Sequence, residues 1–200
     1  MVVLHRSLAT LAAVLALLIV SVPASADGPP GRPYYGRLDQ PSIWQGLYGG
    51  VHLGWGESGP ADGVVGGFQL GYNWRSGLFV YGLEADVSAA DISHTEHFMG
   101  ATAKASIDWM ATARGRIGYL LTPGLLAYGT AGVGIASASG TAGFPGGPRI
   151  FVDDTETDFV YGLGLESKIS ERMSVRAEYL AFSDLDIGVF RAGLNFKLGN

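Results

Sequence analysis

The feature that most constrains this chain is a series of segments in which apolar residues occupy one face of a strand and glycines and charges occupy the other. In Phe79-Val80-Tyr81-Gly82-Leu83-Glu84-Ala85-Asp86-Val87-Ser88, odd positions carry Phe, Tyr, Leu, Ala and Val, whereas even positions carry Val, Gly, Glu, Asp and Ser. Successive side chains of a strand point to opposite faces, so this segment has one oily and one polar side. The same pattern recurs from Trp44 to the C-terminus, and it predicts eight strands.

The first expected strand, Trp44 to Gly56, turns Leu47, Val51, Leu53 and Trp55 one way and Tyr48 and His52 the other. The second, Gly63 to Trp74, sets Val64, Phe68, Leu70, Tyr72 and Trp74 against Gln69 and Asn73. The third is quoted above. The fourth, Ala103 to Leu120, sets Ile107, Trp109, Ala111, Ile117 and Tyr119 against Lys104, Asp108, Thr112, Arg114 and Arg116. The fifth, Leu125 to Ser137, leaves its facing open, because Ala127, Gly129 and Ala131 are too small to mark a side. The sixth, Thr157 to Lys168, shows Phe159, Tyr161, Leu163 and Leu165 opposite Glu166 and Lys168. The seventh, Met173 to Phe182, shows Val175, Ala177 and Tyr179 opposite Arg176 and Glu178. The last, Val189 to Leu198, shows Phe190, Ala192, Leu194 and Phe196 opposite Arg191, Asn195 and Lys197.

A water-soluble barrel turns its large apolar side chains inward to a cavity. Here the charges share one face, so the oily faces are expected to look outward into lipid. Eight is an even number, and each segment is near the length a tilted strand needs to cross a bilayer. The connections Arg75-Ser76-Gly77, Leu121-Thr122-Pro123-Gly124 and Ile169-Ser170-Glu171-Arg172 are tight, whereas Ala89 to Thr102 and Ala138 to Glu156 are long. That alternation predicts an all-β, eight-stranded antiparallel transmembrane up-and-down β-barrel with short periplasmic turns and longer outer loops. Outward aromatics near strand ends, Trp55, Trp74, Tyr81, Tyr119 and Phe159 among them, fit interfacial girdles.

Residues 1–26 have the form of a cleaved signal peptide: Arg6 is the basic element, Leu8 to Val20 the apolar core, and Ala24-Ser25-Ala26 the small-residue cleavage site. Residues 27–43, with Pro29, Pro30, Pro33 and Pro41, are expected to form a flexible proline-rich periplasmic extension, and residues 44–200 the barrel. Losing Arg6 takes the net charge from −5 to −6, an acidity that argues against nucleic acid as a partner. Cysteine is absent, which excludes disulfides and thiolate metal sites.

An eight-stranded barrel is only wide enough for side chains to fill it. The inward charges are therefore expected to form a paired network of Glu84, Asp86, Asp108, Arg114, Arg116, Glu166, Lys168, Arg176, Glu178, Arg191 and Lys197. Inward glycines, Gly71, Gly82, Gly118, Gly162, Gly164 and Gly193, are expected to make room for them. A lumen packed this way is a plug, and a narrow pore is the alternative. Catalysis lacks a motif: no Gly-x-Ser-x-Gly elbow appears, and His52 is expected to join the network. No cofactor is implied. His94 and His97, in the second outer loop, are weak candidates for a metal or haem. The run Asp153-Asp154-Thr155-Glu156-Thr157-Asp158 and neighbouring acids make the outer rim acidic, where divalent cations would bridge to lipopolysaccharide.

Trp44-Gln45-Gly46-Leu47-Tyr48-Gly49-Gly50, Gly66-Gly67-Phe68-Gln69-Leu70-Gly71-Tyr72-Asn73-Trp74, Gly82-Leu83-Glu84-Ala85-Asp86, Ala113-Arg114-Gly115-Arg116-Ile117-Gly118-Tyr119, Val175-Arg176-Ala177-Glu178-Tyr179-Leu180 and Arg191-Ala192-Gly193-Leu194-Asn195-Phe196 follow one another in order. As a set they resemble the small alphaproteobacterial outer-membrane β-barrel proteins labelled "porin family", which include the major surface antigens of Brucella and its rhizobial relatives. The resemblance implies a non-enzymatic barrel in the Gram-negative outer membrane with a structural role in envelope integrity and the cell-surface layer. It also implies insertion by the barrel-assembly machinery. Family members usually end on an aromatic residue, whereas this chain runs Phe196-Lys197-Leu198-Gly199-Asn200.

Overall fold

A computed structural model describes residues 43–98, 101–143 and 149–199, excluding the side chains of residues 93–98, 101–105, 141–143 and 149–153. The expected signal peptide and nearly all of the proline-rich extension lie outside the described residues. Eight strands run in up-and-down order: β1 (Gly46–Ser58), β2 (Ala61–Ser76), β3 (Phe79–Phe98), β4 (Ala101–Thr122), β5 (Leu125–Gly143), β6 (Arg149–Lys168), β7 (Met173–Phe182) and β8 (Ile187–Leu198). Each pairs antiparallel with the next, and β1 pairs with β8 from Leu47↔Leu198 to Ser58↔Ile187, which closes the sheet. Closure satisfies the backbone groups that an open edge would leave bare.

The oily faces look outward. Leu163 is 72% exposed, Phe68 68%, Leu53 65% and Ile117 64%, within an apolar belt that encircles the wall. Such a surface is far beyond the isolated patches a soluble monomer tolerates. Trp74 stacks on Tyr81 near the tight turns, as Phe159 does on Tyr161 near the opposite end. The β2–β3 turn holds Gly77 at φ +61, a left-handed conformation that glycine adopts without steric cost.

β5, whose facing the sequence left open, sends Leu126, Tyr128, Thr130 and Ala136 inward and Ala131 and Val133 outward. The two segments read as long loops are largely strand. β3 and β4 remain paired up to Phe98↔Ala101, and β5 and β6 up to Gly143↔Arg149, so the wall continues as two tall hairpins. From Ala89 to Phe98 that adds roughly 30 Å of strand. At the base of the first hairpin the register shifts between Ala89 and Ile92 on β3 and between Ile107 and Trp109 on β4.

Inside the barrel, two apolar layers lie toward opposite ends. At the hairpin end Val65, Ile92, Met110, Ala136, Val160, Leu180, Phe182, Ile187 and Val189 pack together. At the turn end Trp44, Val80, Leu120, Leu126 and Tyr128 do the same. Trp44, read from sequence as the first residue of a strand, instead caps the lumen. It is 2% exposed, and its indole N–H donates to Pro123 O at 3.0 Å. Gly46, at φ +109, lies where the chain passes from this cap into β1.

Candidate functional site

Between the apolar layers, four carboxylates (Glu84, Asp86, Glu166, Glu178) meet four guanidinium groups (Arg114, Arg116, Arg176, Arg191), all buried. Alternation explains how they gather. Glu84 and Asp86 lie two apart on β3, Arg114 and Arg116 on β4, and Arg176 and Glu178 on β7, while the registers Glu84↔Arg114 and Glu178↔Arg191 set opposite charges side by side.

Arg114 is the hub. Its Nη2 donates to Glu84 Oε1 and to Asp86 Oδ2, both at 2.7 Å, and its Nη1 reaches Glu178 Oε1 at 3.3 Å. Arg191 donates through Nε to Glu178 Oε2 at 2.8 Å, and through Nη1 and Nη2 to the two oxygens of Asp86 at 3.0 and 3.2 Å. Such forked pairing is the geometry guanidinium and carboxylate favour. Arg176 Nη1 donates to Glu84 Oε2 at 2.5 Å. Arg116 Nη2 donates to Glu166 Oε2 at 2.8 Å, and its guanidinium lies 4.0 Å from the centre of the Tyr128 ring, within cation–π range.

Neutral side chains satisfy the remaining acceptors. Tyr48 donates its hydroxyl to Glu84 Oε2 at 2.6 Å and accepts from Arg116 Nη1 at 3.1 Å. Glu166 accepts from Ser174 Oγ at 2.5 Å and Asn195 Nδ2 at 2.8 Å, and Asp86 accepts from Thr112 Oγ1 at 2.5 Å. A chain then runs from Asn195 through Gln69 to His52 and Ser88. His52 Nδ1 donates to Gln69 Oε1, so its Nε2 accepts from Ser88 at 2.8 Å. A serine beside a histidine is a nucleophile with its base only if a third group orients the ring for proton transfer and a substrate can reach it. Here the Gln69 amide does fix the ring, but His52 and Ser88 are both buried and an apolar layer covers the route to them from the hairpin end.

Eight of the eleven charges expected in the lumen are in this cluster; the other three are not. Asp108 is exposed, because the irregularity between Ile107 and Trp109 reverses the side alternation and turns Ile107 toward the upper apolar layer in its place. Bulges redirect side chains in this way. Lys168 stands at the tight-turn end and pairs with Glu171 in the adjoining turn at 2.6 Å, with Glu171 largely in solvent. Lys197, also at that end, is only half-buried, because it stands one residue from the end of β8. The side chain of Lys104 lies outside the described residues.

His94 and His97 belong to β3 rather than to a loop, and their backbones pair with Ala105 and Thr102. Their side chains lie outside the described residues. Among the described residues, no group of three or more metal-ligating side chains comes together. Asp158, the last member of the acidic run and within the sixth strand expected from the sequence, stands just above Phe159 on β6. Its carboxylate accepts the backbone N–H groups of Asp184 and Leu185 at 2.8 and 3.0 Å, tying down the β7–β8 connection. Loss of hydration works to raise its pKa, but these N–H donors and that of Phe159 outweigh it and lower the value below the ordinary aspartate range.

Sequence reasoning left out several cluster members. Tyr128 carried no signal amid small residues, but Trp44 shares even parity with Tyr48 and His52, so alternation alone would have pointed it inward. Thr112 and Ser88 were read on the polar faces of their strands but not as members of the network, and Ser174 shares the inward parity of Arg176 and Glu178.

A family model described as the outer membrane protein beta-barrel domain matches residues 12–198. A 22 kDa outer membrane protein of Rhizobium leguminosarum bv. viciae is 32% identical over 174 residues, covering 78% of this chain and 76% of the relative. The 31 kDa outer-membrane immunogenic protein of Brucella melitensis biotype 1 is 32% identical over 134 residues, which span 62% of this chain and 55% of that protein's length. Among solved structures, the crystal structure of Ail, the attachment invasion locus protein of Yersinia pestis, is similar at 16% identity and a TM-score of 0.49, over 76% of this chain and 99% of that one.

Proposed function

Because this chain belongs to the outer membrane protein beta-barrel family and is a protein of the Gram-negative outer membrane, we propose that it is a structural, non-enzymatic component that strengthens the envelope and adds to the cell-surface layer without conducting solutes. The observation that carries this reading is the lumen. A charge-balanced cluster is sealed between the apolar layer under the outer hairpins and the one closed by Trp44. An open passage needs a continuous wet path, which more strands would supply.

The reading implies that the barrel-assembly machinery inserts the chain, with Phe196 on the outward face of β8 as the terminal aromatic available to it. It also makes lipopolysaccharide the outer-leaflet neighbour of the acidic rim. Comparing a deletion strain with its complemented parent tests the proposal. Loss of the protein is expected to sensitise cells several-fold to bile-salt detergents while leaving uptake of small sugars unchanged; slowed uptake with unaltered detergent resistance would overturn the structural reading in favour of a pore.

A further inference from the structure

Charge is distributed unevenly along the barrel axis. Outside the lumen, the described basic side chains Arg75, Lys168, Arg172 and Lys197 all stand at the tight-turn end. The outer end carries acids, among them Asp62, Asp154, Glu156 and Asp186, and only Lys104 and Arg149 fall there by strand position. Within this acidic rim the mouth of the barrel forms a cup of about 340 Å³, near the small end of the range for ligand pockets.

The floor of the cup is apolar and belongs to the upper layer that seals the lumen: Ile92, Ala136 and Ile187, with Ile107 and Leu185 at the sides. The cup is therefore a dead end that holds a ligand and does not pass it through. Among the described residues, its ionisable lining groups are two carboxylates, Asp154 and Glu156, two positions apart on β6 and so on one face of that strand. Asp154 accepts the Thr155 N–H through one oxygen at 2.8 Å, which leaves the other available. The bulge contributes directly: by turning Ile107 inward and Asp108 outward, it makes the wall of the cup greasy where straight alternation would have made it acidic.

From this geometry we infer that the outer mouth is a binding site for a small amphipathic cation, an apolar body of about one aromatic ring and a short alkyl chain ending in an ammonium group. The apolar body leaves water for the isoleucine floor, and the ammonium pairs with Asp154 and Glu156 at the rim. A neutral analogue keeps only the first contribution, and an anionic one meets like charge. This site adds to the structural role and does not depend on it, so the binding test and the detergent test can fail separately.

The experiment uses the full barrel with ¹³C-labelled isoleucine methyls in zwitterionic phosphatidylcholine nanodiscs, titrated with 4-phenylbutylamine, 4-phenylbutan-1-ol or 4-phenylbutyrate. Ile92, Ile107 and Ile187 report the cup, while the lipid-facing Ile117 reports simple partitioning into the bilayer. The amine is expected to shift the three cup methyls saturably, and at least ten-fold more tightly than either analogue. Asp154→Asn with Glu156→Gln is expected to weaken the amine at least ten-fold while leaving the alcohol unchanged. Ala138→Phe, which fills the cup from its wall, is expected to abolish the cup shifts in a barrel that still migrates as folded. Equal affinity for amine and alcohol, indifference to the carboxylate substitutions, or shifts that appear equally at Ile117 would each overturn the assignment.

Discussion

At the residue scale, Arg114 shows what a charge does when it is taken out of water. It touches Glu84, Asp86 and Glu178 at once, so replacing it with alanine leaves three buried carboxylates short of a partner. Arg114→Ala is therefore expected to cost on the order of 3–5 kcal/mol, read from urea titration of protein refolded in lipid vesicles. Asp108→Asn, at the exposed bulge, is expected to shift the same titration by no more than about 0.5 kcal/mol. If the two variants behaved alike, the distinction between lumen and rim would be wrong. Gly164 makes a different point. A Cβ placed there would meet the ring of Tyr128, the ring that faces Arg116. Gly164→Ala is expected to destabilise the same preparation by about 1–3 kcal/mol through overpacking. The sequence already marked these glycines as makers of space, but the occupants at Gly71 and Gly164 are tyrosine rings rather than charged chains.

At the scale of the element, alternation works wherever a strand is regular and carries large residues, which is why β1, β2, β7 and β8 were legible nearly to their ends. It fails for two physical reasons. Glycine and alanine bury and expose almost the same apolar area on either side, so β5 carries no vote of its own. A bulge adds one residue to one strand only, so Ile107 and Asp108 exchange sides without any change in composition. The tall hairpins were missed for a third reason: above the bilayer both faces of a strand meet water, and the oily-polar contrast that identifies a strand fades. Asp158, at the base of the second hairpin, makes the tie between β6 and the β7–β8 connection. Asp158→Ala is expected to speed amide hydrogen exchange at Asp184 and Leu185 while sparing the strands. Because the folded carboxyl titrates below its unfolded value, the tie is at full strength above the ordinary aspartate range and is lost only as pH falls through the lowered value. Exchange at these two amides that quickened on raising the pH, beyond the intrinsic rate, would contradict that sign.

At the scale of the whole molecule, hydrocarbon surrounds the barrel where a soluble protein would have water, and ion pairs fill its centre where a soluble protein would have oil. Four positive and four negative groups leave the lumen cluster neutral overall, and apolar layers lie at both ends of it. In planar bilayers the refolded protein is therefore expected to give no stable single-channel steps, and sustained steps would contradict the seal.

The orientation of the wall underlies all of this, and the four tryptophans report it directly. Trp55, Trp74 and Trp109 are on the lipid-facing side, whereas Trp44 is enclosed at the turn end of the lumen. Four proteins that each keep one tryptophan, the others replaced by phenylalanine, would be placed in vesicles of brominated lipid and their fluorescence quenching compared. Strong quenching of the three wall tryptophans with Trp44 left bright is the predicted result; a Trp44 quenched as strongly as the rest, or wall tryptophans untouched by bromine, would contradict the account.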